Sequence, residues 1–392
     1  MSNFDTVWLT LHHTLTSQKN QHRLCLWGRN YYGLACPLSR CASQHFATQV
    51  RATLRPPKNA NKGVHYLVYV NWDYEEYCAE CRGVKVARGD NSAKEGKLRE
   101  KWGPKTRGTM RIDTPRTVVD RKGIIMTWIL PEVIPQKYQE EVYLATKSLE
   151  GTLASNLRSA RDSTSWRSSP GLFNPDSDYI RSGFANLSPA WYMSGRSHKS
   201  DEPRTTPVLR QSIGRLFLHT ARDAFAIMSG VLFIVHPEQY QMARAIHMKM
   251  RGRGCCADAI RNWPSVQSAL SIISNRETPF HRDDQSRMSW YDILMSIGPY
   301  DILMSIGPYD KAPFYLSPIG IRVDNRAGTI CAFSGAAFRH GVRKCSQSRI
   351  SLAWYLRENI REGEAVEPAN AMSQAVYREH IGSTSHKVCL SM

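Results

Sequence analysis

Apolar positions along this chain change period several times, and each change marks an element. In residues 118–126 two apolar runs, Val118-Val119 and Ile124-Ile125-Met126, flank Lys122-Gly123, which predicts a β-hairpin turning at the glycine. Pro135 then opens a stretch in which Tyr138, Val142, Ala145, Leu149 and Leu153 recur every three or four residues, the pattern of a helix with one buried face. Residues 159–212 lose all period and are rich in Ser, Pro, Arg and Asp, so long surface loops are expected there. Helical spacing returns over Pro237–Met250, with Tyr240, Ala243, Ile246 and Met250 on one face. From 266 to 358 the pattern is almost wholly strands and turns. Residues 268–274 read as a strand delivering Thr278-Pro279-Phe280-His281, and pairing is expected to stop at Pro279, which cannot sit in a central strand. Residues 328–335 form a second strand closed by glycine and followed by Phe338-Arg339-His340-Gly341-Val342. A short strand is also expected within 65–72. Two helical elements before a β-rich half predict an α+β fold, a jelly-roll barrel buttressed by helices.

One feature disturbs the barrel. Tyr291-Asp-Ile-Leu-Met-Ser-Ile-Gly-Pro299 recurs unchanged as residues 300–308. Eighteen residues in one strand would run about 60 Å, beyond ordinary strand length. An odd period would also turn matching residues of the two copies to opposite faces. One copy is therefore expected in the sheet and the other outside it.

Composition narrows the class. The 392 residues are 42% hydrophobic and 10% aromatic, enough for a substantial core, and the net charge of +18 favours a polyanionic partner. No stretch approaches the ~20 apolar residues that a membrane helix needs. There is no secretory pattern, and the ten cysteines point to a reducing compartment. Cys78 and Cys81 have a metal-like spacing that Cys36, Cys41 or His45 could complete around zinc; free thiols are the favoured alternative. Residues 82–122 carry thirteen Lys and Arg against five Asp and Glu and read as a flexible basic linker. Lys94, Lys97, Arg99, Lys101, Lys105 and Arg107 would there follow phosphates without reading sequence. The expected organisation is an irregular basic region over 1–112, a catalytic domain over 113–362 with its core at 266–358, and a tail over 363–392.

The candidate chemistry lies in that core. His281, Asp283 and His340 supply two imidazoles and a carboxylate, the ligand set of a facial triad that holds Fe(II) with open positions. Arg349 follows nine residues after His340 in an apolar run, placed to grip a carboxylate in a fork of two parallel hydrogen bonds. Iron plus a carboxylate clamp is the minimal kit of a 2-oxoglutarate-dependent oxygenase.

The string Ser274-Asn-Arg-Glu-Thr-Pro-Phe-His-Arg-Asp-Asp-Gln-Ser-Arg-Met-Ser-Trp-Tyr-Asp-Ile-Leu294, with the 328–335 and 338–342 segments, resembles the TET/J-binding-protein oxygenases. Asn186-Leu-Ser-Pro-Ala-Trp-Tyr192 and the Asp120-Arg-Lys-Gly turn are similar to the branch expanded in mushroom-forming fungi. The resemblance covers roughly 115–362. It implies a double-stranded β-helix that uses Fe(II), 2-oxoglutarate and O2 to oxidise the methyl group of 5-methylcytosine or thymine in DNA. It also implies His281, Asp283 and His340 as metal ligands, and Arg349, with Ser351 and Tyr291, as 2-oxoglutarate contacts. The base must be flipped out to reach iron. Arg287, Arg322, Arg339 and Arg343 are candidates to grip phosphates, and Phe280, Trp290 and Phe338 to stack on the base, with core packing the stronger expectation for each aromatic. A nuclear location follows from a DNA substrate. Two alternatives remain: a nucleic-acid-binding relative disabled by the duplication, and a 2-oxoglutarate oxygenase acting on a protein or small molecule.

Overall fold

The computed structural model describes residues 67–82, 92–103, 109–160, 165–175, 179–193, 201–283, 286–298, 312–344, 348–377 and 379. The chain enters through β1 (Leu67–Tyr69), α1 (Tyr74–Arg82), α2 (Ser92–Trp102) and β2 (Met110–Ile112). The hairpin of β3 (Arg116–Val119) and β4 (Ile125–Leu130) follows, then α3 (Gln136–Ser148), α4 (Glu150–Ser159) and β5 (Gly183–Leu187). Next come α5 (Ser212–Thr220), α6 (Arg222–Val235), α7 (Pro237–Met250) and α8 (Ala257–Asn262). The C-terminal part supplies β6 (Ala269–Ser274), β7 (Thr278–His281), β8 (Asp292–Ile297), β9 (Phe314–Leu316) and β10 (Ile321–Val323). It ends with β11 (Ile330–Phe333), β12 (His340–Val342), β13 (Ile350–Tyr355) and α9 (Glu358–Gly363).

The strands form two sheets, a large one ordered β1-β3-β4-β11-β8-β13-β6-β5 and a small one ordered β2-β10-β9-β12-β7. Only β1 with β3 and β2 with β10 run parallel; the other neighbours are antiparallel. Two facing sheets closed by helices are the double-stranded β-helix that the sequence predicts.

Side-chain parity sorts the interior. On β13, Ile350, Leu352 and Trp354 pack toward the helices, while Ser351, Ala353 and Tyr355 line the space between the sheets. β8 is sorted the same way, with Ile293 and Ile297 toward the helices and Asp292, Leu294 and Ser296 facing inward. The helical layer on the large sheet is centred on α6, where Phe225, Met228, Val231, Leu232 and Val235 are all buried. A second apolar cluster fills one end between the sheets, where Met126, Ile129, Phe314, Phe333 and Phe338 meet Trp72, Tyr77 and Trp102. No single helix among the described residues is long and apolar enough to cross a membrane; α5 and α6 meet at 60°.

The hairpin, the 135-onward helix and Pro237–Met250 stand where the sequence puts them. The first helix breaks at Leu149 into α3 and α4. Gly123 takes φ +83°, and the Asp120 carboxylate closes the turn by accepting from the amides of Lys122 and Ile124 at 2.9 and 2.7 Å.

Several expectations need correction. The stretch 82–122 is not simply a linker, because α2 and β2 lie in it, and Lys101 is paired with Glu76 and Glu80 of α1. Residues before 112 join both sheets through β1 and β2, so the expected boundary there is crossed by strand pairing. The C-terminal segment also docks, with Met372 buried and its carbonyl accepting from Ile125 N at 2.8 Å. Residues 159–212 are not all surface loop: β5 is an edge strand of the large sheet, and Phe184, Asn186, Ser188 and Trp191 reach the interior. Pro279 does not end pairing but sits within β7, where its missing N–H is tolerated because β7 is an edge strand. Cys78 and Cys81 are buried in the aromatic end cluster, and burial pushes the Cys78 thiol up to about 12, so it is held protonated there. Cys36, Cys41, His45, Lys105 and Arg107 lie outside the described residues.

The first copy of the repeat supplies β8, paired with both β11 and β13, while residues 300–308 lie outside the described residues. Since one copy fills the strand, deleting residues 300–308 should leave the fold intact, with melting temperature unchanged or higher and soluble yield increased. Loss of the cooperative thermal transition in the shortened chain would show that both copies are structural.

Candidate metal centre

The site is built on two paired strand ends. β7 and β12 are antiparallel neighbours, and His340 lies directly opposite His281. Their rings stand 4.3 Å apart. Each imidazole is oriented by its own strand: Nδ1 of His281 lies 2.9 Å from the Pro279 carbonyl, and Nδ1 of His340 lies 2.9 Å from the Phe338 carbonyl. A carbonyl only accepts, so both Nδ1 atoms carry hydrogen and both Nε2 atoms present lone pairs. Those Nε2 atoms lie 3.4 and 3.8 Å from the two oxygens of Asp283. The ligand atoms of all three side chains lie within 4.8 Å of one another. This donor set fits a divalent first-row metal on one face, and Asp283, with 39% of its side chain exposed, leaves the other side open.

Electrostatics keep the set ready to ligate. Burial, then the neighbouring His281, pulls His340 down to about 4, so its imidazole is neutral. For Asp283, enclosure by protein works to raise the carboxyl, but its neighbours His281, His340 and Arg167 together hold it well below the usual carboxylate range, so it stays ionised. Gly335 makes the close packing possible. Its carbonyl accepts from Asp283 N at 2.9 Å and its amide donates to Asp292 Oδ2 at 3.1 Å. A β-carbon there would collide with carboxylate oxygens of both aspartates.

A cavity of about 550 Å³ extends from the three ligands between the sheets. Its floor on the large sheet is made by small side chains, Ser271, Ser296, Ser351 and Ala353, which is why it is open. A chain of arginines starts at the ligand candidates. Arg167 Nη2 lies 3.7 Å from Asp283 Oδ1, and Arg276 Nη1 donates to the Arg167 carbonyl at 2.8 Å. Arg349 Nη2 donates to the Arg276 carbonyl at 2.7 Å. Burial, then repulsion from Arg167 and Arg349, pulls the Arg276 guanidinium down to about 9. Three neighbouring guanidiniums, of which Arg167 meets the Asp283 carboxylate, leave an excess of positive charge that an anionic ligand would relieve.

The expected site residues divide accordingly. The metal triad converges, and Ser351 lines the cavity. Arg349 is buried beside Arg276, at the head of the strand carrying Ser351, but does not form part of the cavity wall. Tyr291 is a correction: the odd positions of β8's segment face the helices, so its ring is in the core and its hydroxyl donates to the Ile125 carbonyl. Trp290 and Phe338 are fully buried packing residues, while half-buried Phe280 has Arg339 5.8 Å above its ring. Arg287 pairs with Glu358 at 2.6 Å. Lys97 and Arg99 are exposed on α2, and the Lys94 side chain lies outside the described set.

Residues not singled out from the sequence also line the site. Arg276 precedes His281 by five residues, where the chain leaves one sheet for the other; the corner is marked by Asn275 at φ +58°. Trp166, in the stretch read as loop, brings its ring 4.6 Å from that of His281. Tyr355 and Arg357 share the inward parity of Arg349 and Ser351, so period-two counting along this run would have found them. Gly335→Ala should shift both carboxylates and weaken divalent-metal binding by about 10- to 100-fold, measured by calorimetric titration of the metal-free protein. Unaltered affinity would show that the loop absorbs the extra carbon.

Comparison with known proteins gives the site a family. No curated protein matches the chain. A solved structure described as NgTET1 in complex with 5mC DNA is 14% identical, covers 78% of this chain and 96% of its own, and superposes with a TM-score of 0.43. Residues 188–358, which include His281, Asp283, His340 and Arg349, match the Tet_JBP family, described as the oxygenase domain of the 2OGFeDO superfamily. Over that span this chain carries a TET/JBP oxygenase domain.

Proposed function

We propose that this protein is an Fe(II)- and 2-oxoglutarate-dependent dioxygenase that oxidises the methyl group of a modified base in DNA, 5-methylcytosine foremost. The observation that carries the reading is an open His281–Asp283–His340 ligand set beside buried arginines in a cavity of about 550 Å³. When bound, Fe(II) would supply the oxidising chemistry that couples O2 and 2-oxoglutarate to the methyl group. The chain's own residues hold, orient and shield. Arg276 in the cavity wall, with Arg349 bonded to its carbonyl, provides the positive charge for a carboxylate, and Ser351 lies on the cavity floor. The cavity is larger than a five-carbon diacid needs alone and lies in the range of ligand pockets. Its remaining wall offers a ring from Tyr355, an amide from Asn186 and a guanidinium from Arg357, groups suited to a flipped base.

The rest of the molecule supports a polyanionic substrate. Net charge is +18, and one rung across the small sheet places Arg322 and Tyr315 beside Arg111, which is itself paired with Asp324. Arg339 over Phe280 adds a further cation and ring. A DNA substrate would place the protein in the nucleus. Further oxidation of the hydroxymethyl product at the same site is part of the proposal.

The deciding experiment measures succinate release from 2-oxoglutarate with Fe(II), with and without 5-methylcytosine DNA, and 5-hydroxymethylcytosine by mass spectrometry. Succinate formation stimulated by methylated DNA, with the hydroxymethyl product, is expected. Succinate without stimulation by any DNA would point to a protein or small-molecule substrate, and no succinate at all to an inactive relative.

His281→Ala, Asp283→Ala and His340→Ala should each lower turnover by at least about 1,000-fold while leaving the circular-dichroism spectrum unchanged, as each removes one of three ligands. Substantial succinate formation by His340→Ala would move the third ligand elsewhere. Arg349→Lys should raise KM for 2-oxoglutarate by roughly 10-fold or more with DNA affinity unchanged, since one ammonium cannot replace a two-donor fork. The same shift in Arg276→Lys only, with Arg349→Lys unaffected, would assign the clamp to Arg276.

A further inference from the structure

We propose that Glu95 and Tyr77, acting through Arg282, are positioning residues that hold both halves of the metal triad in register. The proposal rests on the metal-site reading above and assigns part of that site to a segment outside the matched 188–358 span.

Arg282 stands between two ligands, at a turn where a long charged side chain would ordinarily point into water. Here its side chain is only 9% exposed, and that of its partner Glu95, on α2, only 15%. Arg282 Nε donates to Glu95 Oε1 at 2.6 Å and Nη2 to Oε2 at 3.1 Å, a two-bond fork that fixes orientation as well as distance. Nη2 also donates to the Tyr77 hydroxyl at 3.0 Å, and the guanidinium lies 5.7 Å above the Tyr77 ring. The same hydroxyl donates to the Ala337 carbonyl at 2.9 Å, three residues before His340. One phenol on α1 thus bridges the strand end that carries His281 and Asp283 to the turn that leads into His340.

The second half of the clamp is aromatic. Phe338, whose carbonyl orients His340 Nδ1, packs against Trp72, Tyr74 and Tyr77 with ring centroids 6.3, 5.7 and 6.1 Å away. The two helices that supply these groups are tied together by Trp102 Nε1 donating to Glu80 Oε2 at 2.9 Å and by Lys101 paired with Glu76 and Glu80. A buried ion pair is weak evidence for stability, since apolar replacement of both partners often costs nothing. It does specify geometry, and an Arg282 charge left uncompensated beside the ligands would oppose a dication. Glu95 both orients that charge and cancels it.

The test uses the full chain freed of metal and titrated with Co(II), followed by calorimetry and by the visible d–d absorption, with thermal unfolding in parallel. Glu95→Gln and Tyr77→Phe should each weaken Co(II) binding several-fold, up to about 10-fold, and alter the d–d spectrum. Tyr77→Phe keeps the ring and removes only the bridging hydroxyl, so it remains informative if Glu95→Gln folds poorly. The double variant Glu95→Leu/Arg282→Leu should recover most of the wild-type melting temperature yet keep weakened Co(II) binding. Wild-type affinity and spectrum in Tyr77→Phe and in the double variant would overturn the proposal, reducing the cluster to packing. Co(II) binding by His340→Ala as tight as wild type would instead sink the metal-site reading, and this proposal with it.

Discussion

The pairing of His281 with His340 across β7 and β12 is the contact on which this molecule depends. The two residues are 59 positions apart and belong to separate segments of the chain, so only a closed small sheet brings them together. Register is unforgiving here, because a slip of one residue would turn an imidazole from the interior to the outer face. Gly341 helps to set that register: a β-carbon on it would press on the backbone of Thr278 and Phe280 in the partner strand. Gly335 performs the same service for the carboxylates, and the Nδ1 hydrogen bonds to Pro279 and Phe338 turn both rings toward Asp283.

Around that pairing, the two faces of the large sheet divide the work between stability and chemistry. One face carries large apolar side chains into the helical layer, and Trp354 and Leu352 are fully buried there. The other carries serines and alanine, which leave a cavity where larger side chains would have filled it. Into this interior the chain places arginines at a cost in desolvation. Arg276 is 6% exposed and Arg349 3%, a burial that charged groups tolerate only with partners. Backbone carbonyls supply part of the compensation, and an anionic ligand between them would supply more.

Much of the catalytic half was legible because it is written in short-range patterns. The strands β6 and β11 and the repeat copy that forms β8 were readable from short apolar runs, and the His-x-Asp spacing, with a later His and Arg, picked out the candidate ligand set. The misjudged segments share a cause. Residues 82–122 look like a solvated linker by charge, yet α2 uses Glu95, one of their few acids, in a contact with a residue 187 positions away. Residues 159–212 look like loop by composition, yet β5 gains its order from pairing with β6 and Trp166 gains its place from packing on His281. Tyr291 was expected to contact 2-oxoglutarate, but it has the parity of the helix-facing positions.

The sequence by itself determined which residues can ligate a metal, which strands alternate, and that only one copy of the nine-residue repeat is needed for a sheet strand. These are local properties, fixed by side-chain chemistry and by the period of the backbone. The tertiary structure alone decided that Trp166 packs on His281, that Arg276 lies between Arg167 and Arg349, that Arg287 is committed to Glu358, and that Glu95 of α2 meets Arg282 between two of the candidate ligands. Each of those contacts joins residues whose own neighbours along the chain give no hint of the partner. Charge and ring are visible in a sequence, but burial and direction arise only when sheets close and helices cover them.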